Sequence, residues 1–382
     1  MDLLPFNKPF IIGNELKYVQ QAVELGHLSG NGPFTQKCHH WFEEHLKCQK
    51  ALLTHSCTAA LEMAAILCNL GIGDEVIMPS FTFVTTANAF VLRGATPVFI
   101  DIHPDTMNID VNAIETAITE KTKAIVCVHY AGGACEMDKI MNIARKHNLF
   151  IIEDAAQALL SSYGSKKLGT IGDIGCLSFH ETKNVISGEG GALLINNKSL
   201  IERAEILWEK GTNRRAFQQG EVDKYTWVDL GSSFLPSELV SAFLYAQLEN
   251  ADKIIEKRQS IFSKYYRDLC PLQEQGLIQL PKKQNNTTNA HIFYILTKTA
   301  EVRTSLITYL KEQNIIAVFH YVPLHSSPAG QRYGRSSGNL LVTNDVSERL
   351  LRLPLYFELS ESQINRVVQA LMSFYNFEKT GK

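Results

Sequence analysis

Between residues 50 and 200, short apolar runs take turns with helical stretches, and that alternation constrains the fold more than any other feature of the chain. The apolar runs are residues 51–53 (ALL), GDEVIMPS, ATPVFIDI, residues 122–130 (TKAIVCVHY) and Leu149–Glu153. Between them lie AALEMAAILCNL, Thr82–Leu92 and Glu136–His147, all with helical character. The runs are nearly continuous in apolar residues rather than alternating with polar ones. A strand of that kind is buried on both faces, so the pattern predicts a mainly parallel sheet with helices on either side, an α/β fold. In open sheets of this type ligands collect beyond the carboxyl ends of the strands.

The remaining sequence is less regular. A helix is expected at Glu15–Leu25, followed by a glycine-rich loop (Gly26, Gly30, Asn31, Gly32) ending at Thr35. Ile201–Gly211 reads as a helix, residues 215–236 as a long polar loop carrying Trp227 and Asp229, and Ser237–Tyr265 as a helical region broken near Asp252. Loops that long are often functional. After a polar stretch at 273–288 come His291–Thr297, a helix at Arg303–Gln313, a strand at Ile315–Phe319 and a tail helix at Ser360–Asn376. A large domain over residues 1–250 and a smaller α+β domain over 251–382 are therefore expected. The formal net charge of -2 gives no electrostatic case for nucleic acid or an anionic membrane. No apolar run approaches the ~20 residues of a membrane span, and MDLLPFNKPF lacks the basic and apolar regions of a secretory signal. The 8 cysteines contain no CxxC pair and read as reduced core thiols of a cytoplasmic protein, with neither a disulfide frame nor a metal site.

The chemistry centres on CLSFHETKNVISGEGGALLI, residues 176–195. Here Lys183 lies between two short apolar runs beside Gly188-Glu189-Gly190-Gly191, which fixes an amine at one point in a cleft. Burial destabilises an ammonium, and a neutral amine is what a Schiff-base lysine needs. Three other features join it. Asp154 ends a buried run with Gln157 three residues later; an acid there needs a partner, and a cationic ring nitrogen supplies one. Ser56, Cys57 and Thr58 open a helix, where free amides and the helix dipole favour an anion, with Ser178 approaching from elsewhere. Phe81 or Phe83, past the end of a strand, offers a ring to stack on. Taken singly, these are a surface lysine, helix caps and core aromatics. Taken together, they provide for an aldehyde, a pyridine nitrogen, a phosphate and a ring face, which is the set of pyridoxal 5′-phosphate, PLP.

At these residues the chain resembles the DegT/DnrJ/EryC/StrS family of sugar aminotransferases over nearly its whole length. FHETK with GEGG (residues 179–183 and 188–191) looks like that family's lysine motif, and Glu153 to Gln157 like its pyridine-nitrogen motif. The resemblance implies PLP, the type I fold of the aspartate aminotransferases, and Lys183 as the catalytic base. It also implies ring stacking by Phe83, Gln157 near the ring hydroxyl, and a phosphate cup that includes Cys57, Thr58 and Ser178. The segment His320 to His325 is similar to the family's substrate-side HYxPLH, implicating His320, Tyr321 and His325, and the family's dimeric site implicates Arg214 and the loop after it. Ser233 stands where many members carry an asparagine that reaches the partner's phosphate. Segments THSCTAALEMAA, HYAGGACEMD, KGTNR and VDKYTW are most similar to a branch using dTDP-4-dehydro-6-deoxyglucose and L-glutamate. Amination at C3, the gluco epimer of a 4-amino product, and a non-catalytic binding or regulatory protein remain open at this stage. A PLP-dependent sugar dehydratase is disfavoured because Lys183 is present, and a nicotinamide-dependent epimerase because no GxGxxG follows the first strand.

Overall fold

The computed structural model describes residues 2–283 and 286–380. Its main sheet has eight strands in the order Lys50–Thr54, Gly191–Ile195, Ile174–Ser178, Phe150–Asp154, Thr122–Val128, Glu75–Pro79, Thr96–Ile100 and Arg335–Ser336. All neighbours pair in parallel except Gly191–Ile195, which runs antiparallel to both strands beside it. The mainly parallel α/β sheet expected from the sequence is therefore present.

The continuous apolar strands reflect two covered faces. Val76 and Met78 pack on one side with helix Cys57–Leu67, whereas Ile77 between them packs on the other with helices Val111–Ala117 and Met137–His147. Adjacent strand residues point to opposite faces, so burial of both faces requires apolar residues at every position. A third cluster joins Leu53, Ala192 and Leu194 to helices Pro33–Leu46 and Glu238–Leu248.

A second layer is built from the three-stranded antiparallel sheet Ile278–Gln279, Phe293–Thr297 and Leu350–Leu353, with helices Ala300–Glu312 and Glu361–Thr380. Helix Ala251–Glu274 ties the layers together: Ala251 and Ile254 belong to a core under the large sheet, and Ile261, Tyr265 and Leu269 to the C-terminal core. Leu4 is buried in that C-terminal core, far from its neighbours in sequence.

Three expectations about elements are corrected. Helix Pro33–Leu46 begins inside the stretch read as ending a glycine-rich loop; Gly32 precedes Pro33, and the carboxylate of Glu238, 206 residues away, accepts from the amides of Gly32, Phe34 and Thr35 at 3.0, 2.7 and 3.0 Å. No local signal reveals a cap supplied from so far off. Residues 315–319 form no strand, only single bridges from Ile315 to Leu4 and from Val318 to Arg352. The break in the long helical region falls between Leu248 and Ala251, just before Asp252, and helix Ala251–Glu274 then runs on past Tyr265.

Candidate active site

A cleft of about 770 Å³ opens between the carboxyl ends of the large sheet's strands and the C-terminal layer. It is lined by Ser56, Cys57, Thr58, Phe83, Asp154, Gln157, Ser178, Lys183, His320 and Tyr321. Ten of the sequence's candidates thus meet in one place. Arg214 and His325 do not line it. Arg214 opens a short helix, Arg214–Gln218, in the long 209–236 connection. His325 is pinned instead to Ser80, whose hydroxyl lies 2.7 Å from Nδ1 and accepts from the His325 amide at 3.0 Å.

Lys183 sits in a turn closed by backbone bonds. Phe179 N–H donates to Gly190 O at 2.8 Å, Glu181 N–H to Gly188 O at 2.9 Å, and Lys183 N–H to His180 O at 2.9 Å. Gly188 allows the loop to close, with φ of 81°. The next residue, Asn184, donates to Asn289 O at 2.8 Å and pairs with His291 Nδ1 at 3.0 Å, fixing the turn against the C-terminal layer. Burial pushes the Lys183 amine below the ordinary lysine value, opposed by Cys57 and Asp154 and reinforced by the Arg352 guanidinium.

Asp154 is the last residue of its strand and only 6% exposed. Its Oδ2 accepts from the Thr86 hydroxyl at 2.7 Å and its Oδ1 from the Ala156 amide at 3.2 Å. Burial raises its pKa, although Thr86, Ala156, Lys183 and His129 all act to lower it. Its neighbour Glu153 faces the other side of the sheet. There it accepts from the amides of Gly169, Ile171 and Gly172 and from His129 Nε2, so of two adjacent acids one shapes a turn and the other faces the cleft. Gln157 bridges the Ala131 amide at 2.6 Å and the Tyr321 hydroxyl at 3.0 Å. Tyr321 also lies edge-on to Phe81, while Phe83, 55% exposed, stands on the cleft's open side.

Two features of the chain suit a phosphate. Ser56 caps helix Cys57–Leu67 by accepting from the Ala59 amide at 3.1 Å, leaving the amides of Cys57 and Thr58 without intrahelical acceptors. Against that helix end runs Gly191, where an added Cβ would lie 2.4 Å from the Ser56 carbonyl carbon and 2.5 Å from the Cys57 nitrogen. Only glycine lets the strand approach so closely. With Asp154 for a ring nitrogen and Lys183 for the aldehyde, the residues present fit PLP.

Two arginines in the same cleft, one buried and one partly buried, escaped the sequence reading. Arg258, 4% exposed, donates to the carbonyls of Ala290 and His291 at 3.2 and 2.5 Å, and burial lowers its pKa to about 9. Arg352 lies between Leu351 and Leu353 in a strand, its guanidinium 4.6 Å from the Phe6 ring. The signals were there: Arg258 shares the core face of its helix with Ile254, Ile261 and Tyr265, and Arg352 interrupts an apolar strand.

Comparison with known proteins extends over nearly the whole chain. Residues 9–372 match the family model described as the DegT/DnrJ/EryC1/StrS aminotransferase family. A GDP-perosamine synthase of Escherichia coli O157:H7 is 33% identical over 378 residues, 98% of this chain and 100% of that protein. The structure of Helicobacter pylori PseC, an aminotransferase involved in the biosynthesis of pseudoaminic acid, superposes with a TM-score of 0.90 at 25% identity, covering 98% of this chain and 100% of that one. The structure of Spr1654 of Streptococcus pneumoniae in its PLP form gives a TM-score of 0.89 at 25% identity over 97% and 98% of the two chains.

Proposed function

The chain belongs to the DegT/DnrJ/EryC1/StrS aminotransferase family and is a PLP-dependent sugar aminotransferase; from that premise we propose that it moves the amino group of L-glutamate to C4 of dTDP-4-dehydro-6-deoxy-D-glucose. The products are dTDP-4-amino-4,6-dideoxy-D-galactose and 2-oxoglutarate, in surface polysaccharide biosynthesis such as enterobacterial common antigen or O-antigen. The observation that carries this reading is the convergence of Lys183, Asp154 and the Ser56–Thr58 helix end with His320 and Tyr321 around one cleft. The sequence similarity of the 54–65, 129–138 and 222–227 segments to the dTDP-sugar branch supports the substrate.

PLP, when bound, supplies an electrophilic carbon for amine exchange and a ring that accepts electron density. The protein's residues do the rest. Lys183, its amine shifted towards the neutral form by burial, takes a proton from the donor's α-carbon and returns one at the sugar's C4. Asp154, aligned by Thr86 and Ala156, would pair with the pyridine nitrogen and favour its cationic form. The amides of Cys57 and Thr58, with Ser56 and Ser178, would hold the cofactor's phosphate, and Phe83 would offer a ring to stack on. Gln157 Nε2 donates to the Tyr321 hydroxyl and fixes that ring, whose centroid lies 6.5 Å from that of Phe83. His320, whose Nδ1 lies 3.0 Å from the Tyr130 hydroxyl, is kept neutral by burial and borders the sugar.

The loop from Arg214 to Leu230 exposes Phe217, Tyr225, Trp227 and Leu230, Trp227 at 77%. Such a patch fits a second copy of the chain, so the enzyme is read as a homodimer in which Arg214 and this loop serve the neighbouring site. Ser233 then leaves that contact without the usual asparagine amide. The GDP-perosamine synthase relative supports a second reading, in which the substrate's nucleotide is GDP.

The test is the visible absorbance of the PLP-loaded enzyme. L-glutamate should discharge it and dTDP-4-dehydro-6-deoxyglucose restore it, with NMR of the product giving the amine's position and configuration. Absorbance untouched by glutamate rules out this donor; restoration only by a GDP-linked keto sugar selects the second reading.

A further inference from the structure

We infer that His291 and His320 form a matched acceptor and donor for a hydroxyl of the sugar, fixed in opposite tautomers by Asn184 and Tyr130, an inference that rests on the transaminase reading above. Both rings line the cleft with Lys183. Asn184 settles the first. Its Nδ2 donates to Asn289 O at 2.8 Å, and a carbonyl only accepts, so Oδ1 is the atom that lies 3.0 Å from His291 Nδ1. That oxygen also only accepts, so Nδ1 carries the hydrogen. Burial, reinforced by the charges of Lys183, Arg258 and Arg352, keeps the ring from taking a second proton. His291 therefore holds a bare lone pair at Nε2.

His320 is the reverse. Its Nδ1 lies 3.0 Å from the Tyr130 hydroxyl, which is buried and has no other hydrogen-bond partner among the described residues. Burial pushes the Tyr130 phenol up, so it keeps its hydrogen and must give it to His320 or leave it unsatisfied. Nδ1 accepts, and the imidazole's own hydrogen goes to Nε2. Burial, Arg352 and Lys183 keep this ring neutral too. Among the described residues neither Nε2 has a partner, and neither is sealed from solvent. The rings stand close enough for a charge on one to oppose a charge on the other. Each ring thus spends one nitrogen on the protein and leaves the other free at the cleft.

The two free nitrogens select the ligand. A carboxylate has no hydrogen for His291 Nε2, and an ammonium has no lone pair for the Nε2–H of His320. An alcohol offers both on one oxygen. In a 4-dehydro-6-deoxyhexose the reacting carbon has two neighbours: C5, bearing the methyl group and ring oxygen, and C3, bearing a hydroxyl. The C3 hydroxyl is the group assigned to the histidine pair. It donates to His291 and accepts from His320, which fixes how the hexose ring lies in the cleft. Asn184 and Tyr130 are positioning residues, acting through the rings they hold.

The first test is nitrogen NMR of the PLP-loaded enzyme carrying isotope-labelled histidine, with His291→Gln and His320→Gln assigning the two signals. At neutral pH His291 should be protonated at Nδ1 alone and His320 at Nε2 alone. Tyr130→Phe should mix the tautomers of His320 and leave His291 as it was; Asn184→Ala should do the opposite. The second test is titration calorimetry with two unreactive sugars, dTDP-6-deoxyglucose and dTDP-3,6-dideoxyglucose, which lacks the C3 hydroxyl. Wild type should prefer the first by about 10- to 100-fold, the scale of two neutral hydrogen bonds. Each positioning variant should lose about 3- to 10-fold of that preference, with affinity for dTDP alone unchanged. A charged ring, the same tautomer in both, equal binding of the two sugars by wild type, or full preference in both variants would overturn the assignment. Where a variant fails to load PLP, the wild-type spectra and the sugar pair decide. If tautomers and preference hold but L-glutamate leaves the visible absorbance untouched, the hydroxyl contact stands and the donor assignment falls.

Discussion

Asp154 shows how much one residue's environment decides. Its carboxyl is raised by burial, so in the PLP-free protein the folded state binds that proton more readily than the unfolded chain does. The stability it withholds is small at acid pH and grows as pH rises through the normal and then the raised carboxyl range. Asp154→Asn removes that liability; its one oxygen can accept from the Ala156 amide while its NH2 donates to the Thr86 hydroxyl, which can turn to donate to Thr82. The PLP-free variant should therefore melt above PLP-free wild type at pH 7, with the gap closing as pH falls towards 4, by scanning calorimetry. The loaded variant should lose turnover on the order of 10²–10³-fold, as when a preorganised electrostatic partner is removed. Lys183→Ala should abolish turnover; substantial activity in it would sink the proposed chemistry. These two residues were legible in the sequence because each is a chemical type out of place in apolar surroundings. Arg258 and Arg352 are equally out of place, but the carbonyls that hold them, those of Ala290 and His291 for one and of Phe319 for the other, come from distant segments and belong to tertiary structure.

Elements bring the residues into register, and glycine marks where they touch. At Gly191 the strand Gly191–Ile195 crosses the start of helix Cys57–Leu67 with no room for a methyl group. Gly191→Ala must separate strand from helix at backbone atoms, which cannot rotate away. A stability loss of about 1–3 kcal/mol is expected, typical of overpacking, together with weaker retention of PLP during dialysis. A variant that holds PLP as tightly as wild type would show that the helix start does not form the phosphate seat. The βα alternation was legible here because each strand carries its own apolar run and each helix its own period. Helix Pro33–Leu46 was not, since the carboxylate that caps it comes from Glu238. His325 likewise sits in a segment rich in functional-looking residues, yet its ring nitrogen and its amide both pair with Ser80, at the end of a strand far away in the chain.

At the scale of the molecule, the first residues of the chain close the cleft. Leu4 exchanges backbone hydrogen bonds with Asn314 and Ile316 at 2.8 and 3.0 Å and buries its side chain in the C-terminal core. Phe6 lies against Arg352, Asn7 donates to Glu181 O at 3.3 Å beside the lysine turn, and Phe10 stacks on Phe357 at 3.9 Å. A segment with no secondary structure thus joins the lysine turn, the arginine and the C-terminal layer, a role that sequence pattern does not encode because it exists only once distant parts have met. Deleting residues 2–7 removes one buried leucine, about 1.5–3 kcal/mol, and the face on which Arg352 rests. The melting temperature should fall by several degrees, and amide exchange should quicken first at residues 293–297 and 314–318, in the C-terminal layer. PLP, held by the large sheet, should be retained. Loss of PLP with unchanged exchange in the C-terminal layer would mean that the segment instead supports the lysine turn through Asn7.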